Sequence, residues 1–365
     1  MIYLDNGATS FPKPEVVKRA VLHTMEHCAN PSRGGHEAAL AADKVVFRCR
    51  EVLSQMFACK PEQVVFTPGC TYGLNMAIRT LIEPGDRVII SGFEHNAVTR
   101  VLHALGAEIV IAGRKLFSVV DTLQKWEDAL RQGAKAAVVT HVSNVFGYIL
   151  PLEKIAELCR YYGVPLVVDA AQSAGSLPVS LEKLGAAFIA MPGHKGLLGP
   201  QGVGVLLCGS QLQPLVCGGT GNVSRLQQMP ADLPERGEAG TLNVPGIGGL
   251  LAGAELVQKI GINKIFQKEQ TLVRLCAKQL SDLGMRVFAG QRQSGVISFV
   301  GKEDCEEIAM YLSGRGIAVR AGLHCAPLAH ESAGTLESGT VRVSFGPFST
   351  ADEVYRLANE LRRRK

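Results

Sequence analysis

The chain has 365 residues, 47% of them hydrophobic and 19% charged, with 38 basic against 33 acidic side chains and a net charge of +5. That balance argues for an ordinary globular protein of about two domains, and against disorder or a strongly basic nucleic-acid binder. No apolar run approaches the roughly 20 residues of a membrane helix, and the first residues carry no secretory signal, so the expectation is a cytoplasmic protein without membrane contact.

In chain order, Pro12 and Pro14 close an extended arm over residues 1–14. Val16, Ala20, Val21, Thr24 and Met25 then recur at helical spacing until Asn30-Pro31, and a second helix runs from about 36 to 58. Short apolar strands follow at 63–66, 87–90 and 107–110, with helices from Tyr72 and Asn96 between them; the pattern resumes with strands at 136–140, 167–168 and 188–189 and a returning strand at 202–207. Doubly apolar strands separated by helices predict a mostly parallel sheet covered on both faces. Helices at 248–260 and 264–284 lead into strands at 295–300, 317–319 and 341–344 and a last helix, a smaller α+β unit. The organisation expected is an arm (1–14), a large domain (15–255) and a small C-terminal domain (256–365) against which the arm packs. The terminal Arg362-Arg363-Arg364-Lys365 run complements the dipole of the last helix better than it suggests a nucleic-acid site. Ten cysteines without a CxxC pair suggest reduced thiols.

Ligands of parallel sheets sit at the carboxyl ends of the strands, and here those ends are polar. The strand ending at 66 runs into Thr67-Pro68-Gly69-Cys70-Thr71, a turn able to offer backbone N–H groups and a hydroxyl to an anion, although Thr71 would serve equally as a plain helix cap. The next ends carry His95, Asn144, Asp169 with Gln172, and the turn Pro192-Gly193-His194-Lys195. A lysine at the mouth of a buried strand loses hydration, which favours the neutral amine needed for a Schiff base. A buried acid such as Asp169 suits a pyridinium nitrogen. His95 reads as a ring-stacking imidazole or as a satisfied structural histidine. The glycine turns at 218–221 and 237–241 read as loop. Cys325 lies in a Gly- and Pro-flanked loop beside His324 and five residues after Arg320, cations of the kind that favour a thiolate. His324, Cys325 and His330 lack a fourth partner spaced to complete a zinc site, so no metal is expected.

Tyr3-Leu4-Asp5-Asn6-Gly7-Ala8, Phe93-Glu94-His95, His141-Val142-Ser143-Asn144, Val168-Asp169-Ala170-Ala171-Gln172, Gly193-His194-Lys195 and Arg320-Ala321-Gly322-Leu323-His324-Cys325-Ala326-Pro327 occur in this order. Together they resemble the class V aminotransferase family of fold-type I pyridoxal-phosphate enzymes, and within it the group II cysteine desulfurases and selenocysteine lyases. The resemblance implies a homodimer acting on L-cysteine or L-selenocysteine, with a sulfur-acceptor protein as a further partner. Lys195 should bond the cofactor aldehyde and shuttle protons, and Asp169 should pair with the ring nitrogen. His95 should stack on the ring and Gln172 should reach its phenolic oxygen. Thr71 and His194 should hold the phosphate, aided by Thr241 from the second subunit, with Cys70 a further cofactor-binding position. Asn144 and Arg342 should grip the substrate carboxylate with Arg320 close by, and Cys325 should take the sulfur as a persulfide, leaving alanine. Two departures stand out: Pro192 and Cys70 replace hydroxyl residues, which implies weaker phosphate binding or compensation by backbone amides and Thr241. An aminotransferase or other lyase on the same fold, and a silent sulfur-carrier or scaffold subunit, are the alternatives. Lys195 and Asp169 argue against the last of these. No GxGxxG follows the first strand, which disfavours a nicotinamide-binding fold.

Overall fold

The computed structural model describes residues 1–31, 34–221 and 224–364; Lys365 of the basic tail lies outside them. Strand β1 (Ile2–Tyr3) precedes helices α1 (Glu15–His27) and α2 (Glu37–Phe57). Then come β2 (Val64–Thr67), α3 (Cys70–Leu81), β3 (Arg87–Ser91), α4 (Asn96–Ala104), β4 (Glu108–Ala112), α5 (Val119–Arg131) and β5 (Ala136–Thr140). The alternation continues through α6 (Leu152–Tyr161), β6 (Leu166–Asp169), α7 (Leu181–Leu184), β7 (Phe188–Pro192) and β8 (Gly204–Cys208). Two long helices, α8 (Val244–Ile260) and α9 (Ile262–Asp282), lead to β9 (Arg286–Phe288), β10 (Val296–Val300), α10 (Cys305–Gly314), β11 (Ile317–Ala318), β12 (Arg320–Gly322), α11 (Pro327–Ala333), β13 (Thr340–Ser344) and α12 (Ala351–Arg364).

The large sheet has the order β2-β8-β7-β6-β5-β3-β4. The strands from β7 to β4 are parallel neighbours, and β8 runs antiparallel to both β7 and β2. Alternate side chains divide between two cores, as a doubly covered sheet requires. Ile89, Val139, Val168 and Ile189 pack with Phe57 and Trp126 on one face; Val88, Val138, Val167 and Phe188 pack with Leu74 and Val98 on the other. Helix α5 was absent from the sequence expectation, yet it buries Trp126 completely and is capped by Ser118, whose hydroxyl accepts the Asp121 N–H.

A second, antiparallel sheet has the order β12-β13-β10-β9. Ile297, Phe299, Leu272 and Leu357 form its core with α9 and α12. The N-terminal arm joins this unit as a strand: β1 pairs in parallel with β11, and Asp5 bridges Ser344. Helix α8 runs through residue 255 and packs on α1 and α2, while α9 starts after Gly261 and packs on α12. In the tail, Arg363 pairs with Glu360 at 2.7 Å and Arg364 pairs with Glu303. Among the described residues, no helix is long and apolar enough to cross a membrane.

Candidate active site

A cavity of about 650 Å³ opens at the carboxyl ends of β5, β6 and β7, where Thr140 stands opposite Asp169 and Asp169 opposite Ala190. It gathers Cys70, Thr71, His95, Asn144, Asp169, Gln172, His194 and Lys195. These eight positions were all expected from the sequence, and they come from the ends of five separate strands, β2, β3, β5, β6 and β7.

Lys195 sits in the turn after β7, pinned by the Gly193 N–H on the Val203 carbonyl (2.9 Å) and the Leu198 N–H on its own carbonyl (2.9 Å). Burial lowers the pKa of its amine, opposed by Asp169. The Asp169 carboxylate is 3% exposed and accepts the Ala171 N–H at 2.8 Å. Cys70, at the first position of α3, turns its thiol toward Asp169 Oδ1 at 3.6 Å. Burial raises that thiol's pKa well above the usual range, with Asp169 adding to the effect, so it stays a donor. The Cys70 side chain, where a hydroxyl residue was expected to be more common, therefore turns to the acid and away from the open N-terminus of α3.

His95 caps α4, its Nδ1 accepting the Ala97 N–H at 3.0 Å. Burial lowers its pKa, so the neutral ring carries its proton on Nε2. His194 is pushed down to about 4 by burial, then by Lys195 and Lys13, and its Nδ1 meets Thr9 Oγ1 at 3.1 Å. Its carbonyl accepts the Lys13 ammonium at 2.7 Å. Gln172, expected on a ring hydroxyl, donates to the Gly7 carbonyl at 2.9 Å.

The carboxylate fork differs from expectation. Arg342 is 2% exposed and does not line the cavity. Its NH2 pairs with Asp5 Oδ1 at 2.6 Å, its NH1 donates to the Asn144 carbonyl at 3.0 Å, and its buried Nε has no partner. The N-terminal segment covers it: a Cβ on Gly7 would lie 3.3 Å from the guanidinium carbon. The reason is elementary, since a guanidinium buried this deeply needs a counter-charge and Asp5 is within reach. Asp5 was given no role of its own in the sequence, where it stood only within the Tyr3–Ala8 motif of the N-terminal arm. Arg320 stands opposite Arg342 in the β12–β13 register, is exposed and lies outside the cavity lining.

Cys325 is exposed at the rim. Its carbonyl accepts the Asn96 N–H at 2.7 Å, and the His324 carbonyl accepts the Asn144 side-chain amide at 2.7 Å. Both His324 and Cys325 are left-handed, with φ of 50° and 57°, a conformation costing about 1–2 kcal/mol for each non-glycine residue. The sequence expectation of a cationic His324 fails. The ring is 7% exposed, Nε2 meets Thr340, and burial with Arg342 and His330 pushes it down to about 2, so it is neutral. Thr241 lies away from this cavity, exposed in a separate groove beside Phe47 and the buried Arg50–Glu238 pair. Among the described residues, no three His, Cys, Asp or Glu side chains gather to hold a metal.

The family model for Aminotransferase class-V matches residues 2–357. A probable cysteine desulfurase of Pyrococcus abyssi is 32% identical over 97% of this chain and 92% of its own. A cysteine desulfurase of Synechococcus elongatus is 33% identical over all of this chain and 60% of its own. Among solved structures, the apo cysteine desulfurase from Thermococcus onnurineus NA1 superposes with a TM-score of 0.91 at 31% identity, covering 99% of this chain and 94% of that one. The cysteine desulfurase CsdA from Escherichia coli gives 0.84 at 27%, with coverages of 99% and 94%.

Proposed function

The chain belongs to the class-V aminotransferase family, and from that premise we propose that it is a pyridoxal-phosphate-dependent cysteine desulfurase, converting L-cysteine to L-alanine with the sulfur left as a persulfide on Cys325. The observation that carries this reading is the meeting of a burial-depressed lysine amine and a shielded carboxylate in one cavity, with a cysteine loop tied to its rim by Asn96 and Asn144.

The donor set fits pyridoxal phosphate. The Lys195 amine suits the aldehyde, Asp169 the ring nitrogen, His95 a ring face, and the N-terminus of α3 with Thr71 the phosphate. When bound, the cofactor would supply an aldehyde that captures the substrate amino group and a ring that takes up the electron pair released at the α-carbon. Lys195 Nζ, uncharged more readily than a solvated amine, takes the α-proton. Asp169, shut off from water, holds a proton-bearing nitrogen opposite it in the charged form. Asn144, which lines the cavity, receives the carboxylate, and Arg342 joins it only by exchanging its Asp5 partner for the substrate. The Cys325 thiolate then attacks the substrate sulfur. An S–S bond forms, and the Cβ–S bond breaks with its electron pair passing to Cβ. A proton completes the alanine methyl group. Thr241, exposed and remote from the cavity of its own chain, is free to complete the cavity of a second copy in a homodimer.

The test is alanine and sulfide release from L-cysteine, with a reductant, by wild type and Cys325→Ala. The reading predicts alanine from the wild type and only background from the variant. Undiminished alanine formation by the variant would remove Cys325 from the mechanism.

A further inference from the structure

Asn144 sits where two requirements meet. It lines the cavity beside Lys195, yet its amide nitrogen donates to the His324 carbonyl at 2.7 Å, one peptide before Cys325. The next carbonyl, that of Cys325, accepts the N–H of Asn96, the first residue of α4 after His95, also at 2.7 Å. Between these clamps His324 and Cys325 hold left-handed φ values of 50° and 57°. Non-glycine residues keep such a conformation only where their surroundings impose it. In this arrangement Cys325 is exposed and does not line the cavity. The His324 ring itself is anchored, buried against Thr340 and stacked 5.8 Å from His330.

We propose that Asn144 is a latch that couples seating of the substrate carboxylate to release of the Cys325 loop. This rests on the desulfurase reading above. An incoming carboxylate accepts a hydrogen bond more strongly than a neutral peptide carbonyl. It therefore draws the Asn144 amide away from His324. The Arg342 NH1, bound to the Asn144 main-chain carbonyl at 3.0 Å, ties the second carboxylate donor to the same residue. Once the His324 carbonyl loses its partner, the strained 324–325 peptide is free to rotate. Because the His324 ring stays fixed, rotation at that peptide turns Cys325 toward the cavity instead of carrying the whole loop away. The consequence is an order of events: the thiol is held outside until an amino acid is seated, which keeps it from the cofactor aldehyde.

Hydrogen exchange on the holoenzyme tests this, with L-alanine as probe because it carries the carboxylate but no sulfur. Two amides report on the loop: Asn96, bound to the Cys325 carbonyl, and Ala326, bound to the Leu323 carbonyl at 3.0 Å. Saturating L-alanine should speed their exchange roughly tenfold, the ratio one hydrogen bond supports. Asn144→Asp, which cannot donate to the carbonyl, and Asn144→Ala should exchange fast without ligand and respond no further. Thermal melts identify any variant that fails to fold, and the near-isosteric Asp variant carries the comparison if the Ala variant does. Calorimetry follows L-alanine binding separately. Binding without faster exchange in the wild type, or slow exchange in both folded variants, would overturn the latch and leave the desulfurase reading standing. No binding of L-alanine at all would overturn that reading and the latch with it.

Discussion

Glu94 offers a sharp test of the electrostatics beneath the cavity. It lies one residue before His95 and is fully buried. Its Oε1 takes the Ser91 hydroxyl at 2.5 Å and the Thr140 N–H at 2.8 Å, joining the ends of β3 and β5, and its Oε2 has no partner. Burial pushes this carboxyl from 4.5 up to about 8, so it is protonated at neutral pH. A lone buried O–H is tolerable, whereas a buried unpaired charge is not. Because the folded pKa is raised, the folded state binds this proton more tightly than the unfolded chain does. The stability it contributes is complete below pH 4.5 and is lost as pH rises toward about 8. Glu269, also pushed up to about 8 by burial, acts in the same direction. His141, His194 and His324 act oppositely, but only below their ordinary value of 6.5. Between pH 6.5 and 8 each of the two carboxyls should therefore remove about 2 kcal/mol. Glu94→Gln keeps an acceptor for Ser91 and Thr140 and carries no proton to lose. Urea unfolding across that window should show the wild type losing about 2 kcal/mol more than the variant. Parallel curves for the two proteins would refute the assignment of a protonated Glu94.

Asp5→Ala leaves the Arg342 guanidinium buried and unpaired, and urea unfolding should show a loss of about 3 kcal/mol, largely recovered in an Asp5→Ala/Arg342→Met double variant; a single variant as stable as wild type would show that the pair contributes nothing. Gly175 has φ of +90°, and a Cβ there would lie 2.3 Å from the Gly196 carbonyl oxygen. Gly175→Ala should cost at least about 2 kcal/mol and shift the turn that carries Lys195, lowering the fraction of purified protein that retains cofactor absorbance. Unchanged cofactor content would separate the two turns. Borohydride treatment should fix the cofactor to the peptide containing Lys195 in the wild type and leave Lys195→Ala unlabelled, and a label on another lysine would contradict the assigned role.

The large sheet was legible because its strands are doubly apolar and end in polar turns, a pattern set by local burial. The same logic gathered His95, Asn144, Asp169, Gln172 and Lys195 at one edge, since parallel strands bring their carboxyl ends together whatever the loop lengths. Helix α5 was missed although Thr122, Trp126, Ala129 and Leu130 recur at helical spacing after the Ser118 cap. Strands β9 and β12 and helix α11 are too short for periodicity to mark. What sequence spacing could not reveal is which side chain satisfies which. The Asp5–Arg342 pair joins residues 337 positions apart, and the Asn144 contact to the His324 carbonyl joins residues 180 apart. His324 looked cationic beside Cys325 because charge is assigned by residue type, while its neutral state is decided by burial against Thr340.

The central claim is that sulfur leaves L-cysteine for the thiol of Cys325. Mass spectrometry of the holoenzyme after a short exposure to L-cysteine without reductant addresses it directly. The account predicts one added sulfur atom on the peptide containing Cys325 and none on the exposed Cys217, with the addition removed by reductant. Alanine released in the same reaction while the Cys325 peptide stays unmodified would contradict it.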